Sequence, residues 1–138
     1  MLQHIPGADL RSKVLKNIAE VIKEDGEIFI TVYNNNLINM LARLRRANNY
    51  ATFANKEGYH KNGIYYYNFY CRELETILKK HFVIKEIIGC APLIPKLTKY
   101  FIKYEGVSRM ASIILEKAGL SHIVGKILMA RCEKVVRK

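Results

Sequence analysis

Cysteine is scarce in this chain: Cys71, Cys90 and Cys132 stand far apart, odd in number and in no C-x-x-C pair. That spacing excludes a disulfide framework and supports no zinc site, and buried thiols are the favoured reading. No uninterrupted apolar run of about 18 residues occurs, so no transmembrane helix is expected. The opening residues, MLQHIPGADLRSK, lack the basic-then-apolar order of a secretory signal, which makes the cytoplasm the expected location. Internal repeats and low-complexity segments are missing as well. His60, His81 and His122 have no partner at metal or triad spacing, so no metal is expected. Among eight glycines no two stand as G-x-G.

What remains is a globular composition. Half of the 138 residues are hydrophobic and a quarter are charged, which fits one packed domain over 1–138 but is short for a full doubly wound sheet. The net charge of +11 suits an anionic partner such as RNA or a membrane surface. It equally suits a coding bias toward Lys, Asn, Ile and Tyr, and both readings stay open.

From residue 8 to 23, Leu10, Val14, Ile18, Val21 and Ile22, with Leu15 beside them, recur at helical spacing, while Arg11, Lys13, Lys16 and Glu20 are expected on the solvent side. Pro6 and Gly7 fall outside this helix and Gly26 ends it. Residues 28–33, IFITVY, are nearly continuous in apolar and β-branched types and predict a strand buried on both faces. A short helix is expected within 37–46, with Arg43, Arg45 and Arg46 outward, then a loop over 48–63. The aromatic stretch YYYNFY, 65–70, is either a lid or a packed strand-like connector. A helix over 72–81 and a strand over 82–90 follow. Two helices are expected in the insertion 91–120, one with Lys96, Lys99 and Lys103 on a single face, the other placing Met110, Ile113 and Ile114 inside. The last strand spans 126–135.

In this order the pieces resemble the C-terminal half of a class I S-adenosylmethionine-dependent methyltransferase. The opening MLQHIP is similar to the end of that family's fourth strand. RSKVLKNIAEVIKEDG, 11–26, is similar to its next helix and turn, NFYCRELETILKKHF, 68–82, to its aromatic segment and following helix, and KILMARCEK, 126–134, to its final strand. Residues 35–64 and 91–120 lie outside the resemblance. Glu24-Asp25 replaces the usual Pro-Gly, and His81 replaces the glycine before the aromatic strand start.

The resemblance implies an α/β fold, a partial Rossmann-like methyltransferase sheet of the last three strands, mixed parallel and antiparallel, with flanking helices. Strand 27–33 is expected to neighbour strands 82–90 and 126–135. It implies S-adenosyl-L-methionine as cofactor, yet the family's glycine-rich cofactor turn and its acidic ribose ligand have no counterpart here. The expectation is therefore an acceptor-side portion, inactive alone, that leaves the edge of strand 27–33 unpaired and needs a separately encoded N-terminal half. The implied site lies at the carboxyl ends of two strands, with His4 as a base or a packing residue, Gln3 and His4 on the cofactor rim, and Tyr33 and Asn34 toward the methyl acceptor. As a lid, Tyr65, Tyr66, Tyr67 and Phe69 would supply its walls. The alternatives are a basic module docking on anionic lipid or RNA, and a non-functional gene remnant.

Overall fold

The computed structural model describes residues 2–36, 56–60, 62–92 and 105–135. A helical turn at Leu2–His4 leads to α1 (Ala8–Val21) and β1 (Glu27–Asn34). β2 (Glu57–Tyr59), β3 (Tyr65–Phe69), α2 (Cys71–Leu78) and β4 (Phe82–Pro92) follow, then α3 (Glu105–Lys117), the short α4 (Ser121–Val124) and β5 (Gly125–Lys134). The strands form one open sheet in the order β2-β3-β1-β5-β4. β5 runs antiparallel to both neighbours, Ile30 facing Ala130 on one side and Ile84 facing Cys132 on the other. β3 joins β1 in parallel, and only at Tyr33–Asn68 and Asn34–Phe69. The sheet is thus an α/β arrangement of mixed direction, wider by two strands than the three expected.

The local causes are plain in α1. Gly7 takes φ 79° ahead of the first turn, Asp9 sits where the helix dipole favours an anion, and Gly26 closes the turn with its N–H on the Lys23 carbonyl. No basic residue lies in the last turn of α1, but Lys134 from β5 reaches the Ile22 carbonyl at 2.7 Å and supplies the cation that this end prefers. α2 begins after Tyr70, whose backbone N–H reaches back to the Glu73 carboxylate at 3.5 Å, the acidic half of a capping box.

The core draws on one side of the sheet. Ile30 and Val32 of β1, Leu128, Ala130 and Cys132 of β5, and Phe82 of β4 pack with Leu15 of α1 and with Leu74 and Leu78 of α2. Directly opposed strand residues share a face, so α1 and α2 cover the same one. Here β1 departs from the expectation of burial on both faces: Phe29 is 58% exposed and Thr31 is exposed too. Period-two geometry turns these side chains away from α1 and α2, and among the described residues no helix covers them.

Other expectations are corrected in the same way. Part of the expected loop 48–63 is the strand β2, held by antiparallel pairing with β3. Met110, Ile113 and Ile114 are exposed on α3 rather than inside. Arg11, expected in solvent, is 5% exposed, because positions 11, 15 and 18 share the inward side of α1. The expected helix within 37–46 and the lysine face at 96–103 lie outside the described residues. β4 carries a register shift between Ile84 and Glu86, and the extra residue, Lys85, pairs with Glu133 at 2.9 Å.

His81 links the two helices, its Nε2 lying 3.2 Å from the Ser12 hydroxyl. Burial first, then Lys80 and Lys16, hold its pKa below the ordinary imidazole value. A folded-state pKa below the unfolded one means that the unfolded chain binds more protons. The contribution is complete above about pH 6.5 and is lost as pH falls below it. Urea midpoints at pH 7.5 and 5.5 should therefore drop more for the native chain than for His81→Asn.

Candidate functional site

Elements from three parts of the chain meet beside the carboxyl end of β1 and the amino end of β3. Burial of Leu2 fixes the N-terminal turn against both strands. The turn carries His4 to Tyr65, where its Nδ1 lies 2.7 Å from the backbone carbonyl. A carbonyl only accepts, so Nδ1 holds the proton and the neutral ring presents Nε2 as its basic nitrogen. Among the described residues Nε2 has no hydrogen-bond partner. Tyr33 stands edge-to-face against the same ring, centroids 6.0 Å apart. Beside it, Gln3 Oε1 is buried without a partner, one of two such side-chain atoms among the described residues. The other is Arg11 Nε. An unpaired buried acceptor is costly.

The other expected site residues have structural duties. Asn34, 3% exposed, donates its amide hydrogens to the carbonyls of His122 at 2.7 Å and Gly125 at 2.8 Å, tying β1 to the α4–β5 junction. Tyr66, Tyr67 and Phe69 are buried in β3, so the packed strand describes YYYNFY and the lid does not. Tyr67 donates to Glu73 and carries the Arg11 guanidinium 4.0 Å above its ring. Burial first, then the Glu73 hydrogen bond, raises the pKa of Tyr67. Tyr65 is half-buried and gives its hydroxyl to Glu57 at 2.6 Å. Burial, followed by that bond, raises its pKa too.

The structure therefore brings together His4, Tyr33, Gln3 and the Tyr65 backbone, and spends Asn34, Tyr66, Tyr67 and Phe69 elsewhere. Sequence reasoning missed Arg11, whose inward position follows from its spacing with Leu15 and Ile18. It also missed the close approach of Gly89, Ser121 and Gly125, for which no local signal exists. Among the described residues no three His, Cys, Asp or Glu side chains could hold a metal ion. No described helix is long and apolar enough to cross a membrane. Burial raises the pKa of the Cys132 thiol to about 11, which leaves it inert. Comparison with protein-family models and with curated proteins returns no match in either.

Proposed function

We propose that this chain is the acceptor-side portion of an S-adenosylmethionine-dependent methyltransferase with a Rossmann-like sheet. The observation that carries the reading is the seat of the last strand: β5 lies antiparallel beside β1, as the resemblance implies, although it also separates β1 from β4, which were expected as neighbours. At the carboxyl end of β1, where open α/β sheets bind ligands, His4 offers Nε2 to an acceptor's O–H or N–H proton. The Tyr65 carbonyl holds its tautomer, and Tyr33 walls one side.

Among the described residues nothing matches the glycine-rich cofactor turn that the resemblance implies. The positive-φ glycines, Gly7, Gly63 and Gly119, stand singly. The chain leaves β1 through Asn35 and Asn36, with no glycine pair to bring backbone close to a ligand. Gln3 and His4 supply a rim at most. Calorimetric titration of the purified chain with S-adenosylmethionine should give no saturable heat. One-to-one binding at micromolar affinity by the chain alone would overturn the assignment to an acceptor-side portion.

A further inference from the structure

α3 is built inside out. Its outward stripe is aliphatic: Met110 is 67% and Ile114 59% exposed, with Ile113 exposed between them. Together with Lys117 these positions span about 100° of the helix circumference. Ala111 and Leu115, partly buried, take the side toward β4. The turn that follows adds to the same corner. Gly119, at φ 67°, ends α3 with the Leu120 N–H on the Leu115 carbonyl at 2.8 Å, the long bond of a Schellman ending. Leu120 is thereby fixed close to α3 and stays exposed, as does Ile123 of α4. α3 and α4 both lie against β4, the outermost strand on its side, so this corner stands at a margin of the molecule.

The charge around it has one sign. Arg109, Lys117 and Lys126 are all exposed. The one acid between residues 106 and 126 is Glu116, which lies round the helix from the stripe. Burial first, then Glu116, raises the pKa of the Cys90 thiol in β4, which puts that carboxylate on the sheet side. Single exposed aliphatic residues need no explanation. A helix with its apolar pole outward and cations beside it has the make-up of one that lies in a headgroup layer. The stem of Lys117 lies along apolar surface while its ammonium stays among phosphates. A second copy of this chain is the poorer occupant, because each copy carries a net charge of +11 and the cations border the stripe itself.

We propose that the α3–α4 corner seats this chain on the surface of an anionic bilayer, with Met110, Ile113 and Ile114 entering the acyl boundary and Arg109, Lys117 and Lys126 meeting lipid phosphates. The seat is peripheral, reaching about 5–10 Å into the boundary. It stands independently of the methyltransferase reading, and of the arginine run 43–46 and the lysine face 96–103.

Flotation of the full 138-residue chain with vesicles of equal parts phosphatidylcholine and phosphatidylglycerol should carry it into the lipid fraction. Vesicles of phosphatidylcholine alone should bind it at least tenfold more weakly, because the cations then lose their partners. Met110→Asp with Ile114→Asp should weaken binding to the anionic vesicles at least tenfold with an unchanged thermal midpoint, since both side chains are exposed. Leu10→Asp with Val21→Asp, on the exposed side of α1, should leave binding as it was. The chain holds no tryptophan, so Ile114→Trp is a clean reporter. Its emission should shift to the blue on the anionic vesicles and be quenched by lipids brominated near the headgroup, whereas that of Leu10→Trp should do neither. Absence of flotation, flotation indifferent to the Met110 and Ile114 changes, or an unshifted Ile114→Trp emission overturns the seat. A homodimer in lipid-free solution that the same two changes dissolve overturns it in favour of a protein interface.

Discussion

Asn34→Asp should destabilise the fold by on the order of 4 kcal/mol at pH 7, the scale of an uncompensated buried charge. The Asn34 amide donates to the carbonyls of His122 and Gly125 from a position only 3% exposed. A carboxylate of the same shape sets a third oxygen against those two and takes away the Asn34 donor from both, while the Gly125 carbonyl keeps the Asn36 amide at 2.9 Å. Asn34→Ala removes the donors without adding charge and should cost about 2 kcal/mol. The pH dependence separates the two variants. Burial raises the folded pKa of the new carboxyl above its unfolded value of about 3.9, so the charge penalty is absent below that pH and grows as pH rises through it. Urea unfolding at pH 4 and pH 7 should bring Asn34→Asp close to Asn34→Ala at the lower value and far below it at the higher. If Asn34 served only a ligand, both variants would unfold with the native midpoint.

Gly89→Ala is the second large effect. A Cβ at Gly89 would stand 1.9 Å from the Ser121 carbonyl oxygen and 2.4 Å from its carbon, while one at Gly125 would meet the Gly89 backbone at 2.7 Å. The obstacles are main-chain atoms, so no side chain can swing aside. The Gly89 N–H also meets the Ser121 hydroxyl at 3.2 Å, a contact that any shift of α4 breaks. Overpacking of this kind costs about 3 kcal/mol, roughly 10 °C in thermal midpoint for a chain of this size. Gly106→Ala is the control. It lies in α3 with nothing within 4 Å of the added carbon and should stabilise by about 0.5 kcal/mol through helix propensity. Scanning calorimetry of the two variants should move the midpoint in opposite directions.

The unit from Ala8 to Asn34 is legible in the sequence because local signals agree there. Helical spacing, an excluded Pro6-Gly7, the Gly26 turn and a β-branched run all point to the same elements. Arg11 was not legible as a core residue. α1 has two overlapping apolar stripes, and which one meets the sheet is decided by contacts remote in sequence, among them the Tyr67 ring beneath the guanidinium. YYYNFY misleads for a related reason: Tyr66, Tyr67, Asn68 and Phe69 are all buried, so the alternation that marks a strand is erased. Met110, Ile113 and Ile114 show the limit of an amphipathic pattern, which gives the apolar side of a helix and not what covers it. At the site, His4 was readable as a candidate base. Its fixed tautomer depends on a carbonyl at residue 65, and the structural duty of Asn34 depends on carbonyls at 122 and 125, distances over which residue type carries no information.

The register shift in β4 has a wider consequence. β4 is the outermost strand on its side, where a free ladder would invite any passing extended chain. The extra residue there, Lys85, puts a cation beside the exposed Glu86, local twist spoils the straight run of amides, and Pro92 ends the strand without an N–H. The opposite border belongs to β2, a strand of only three residues. The two margins are therefore unlike, one long and interrupted and the other too short to template a neighbour, so that fibril-like stacking through both is disfavoured.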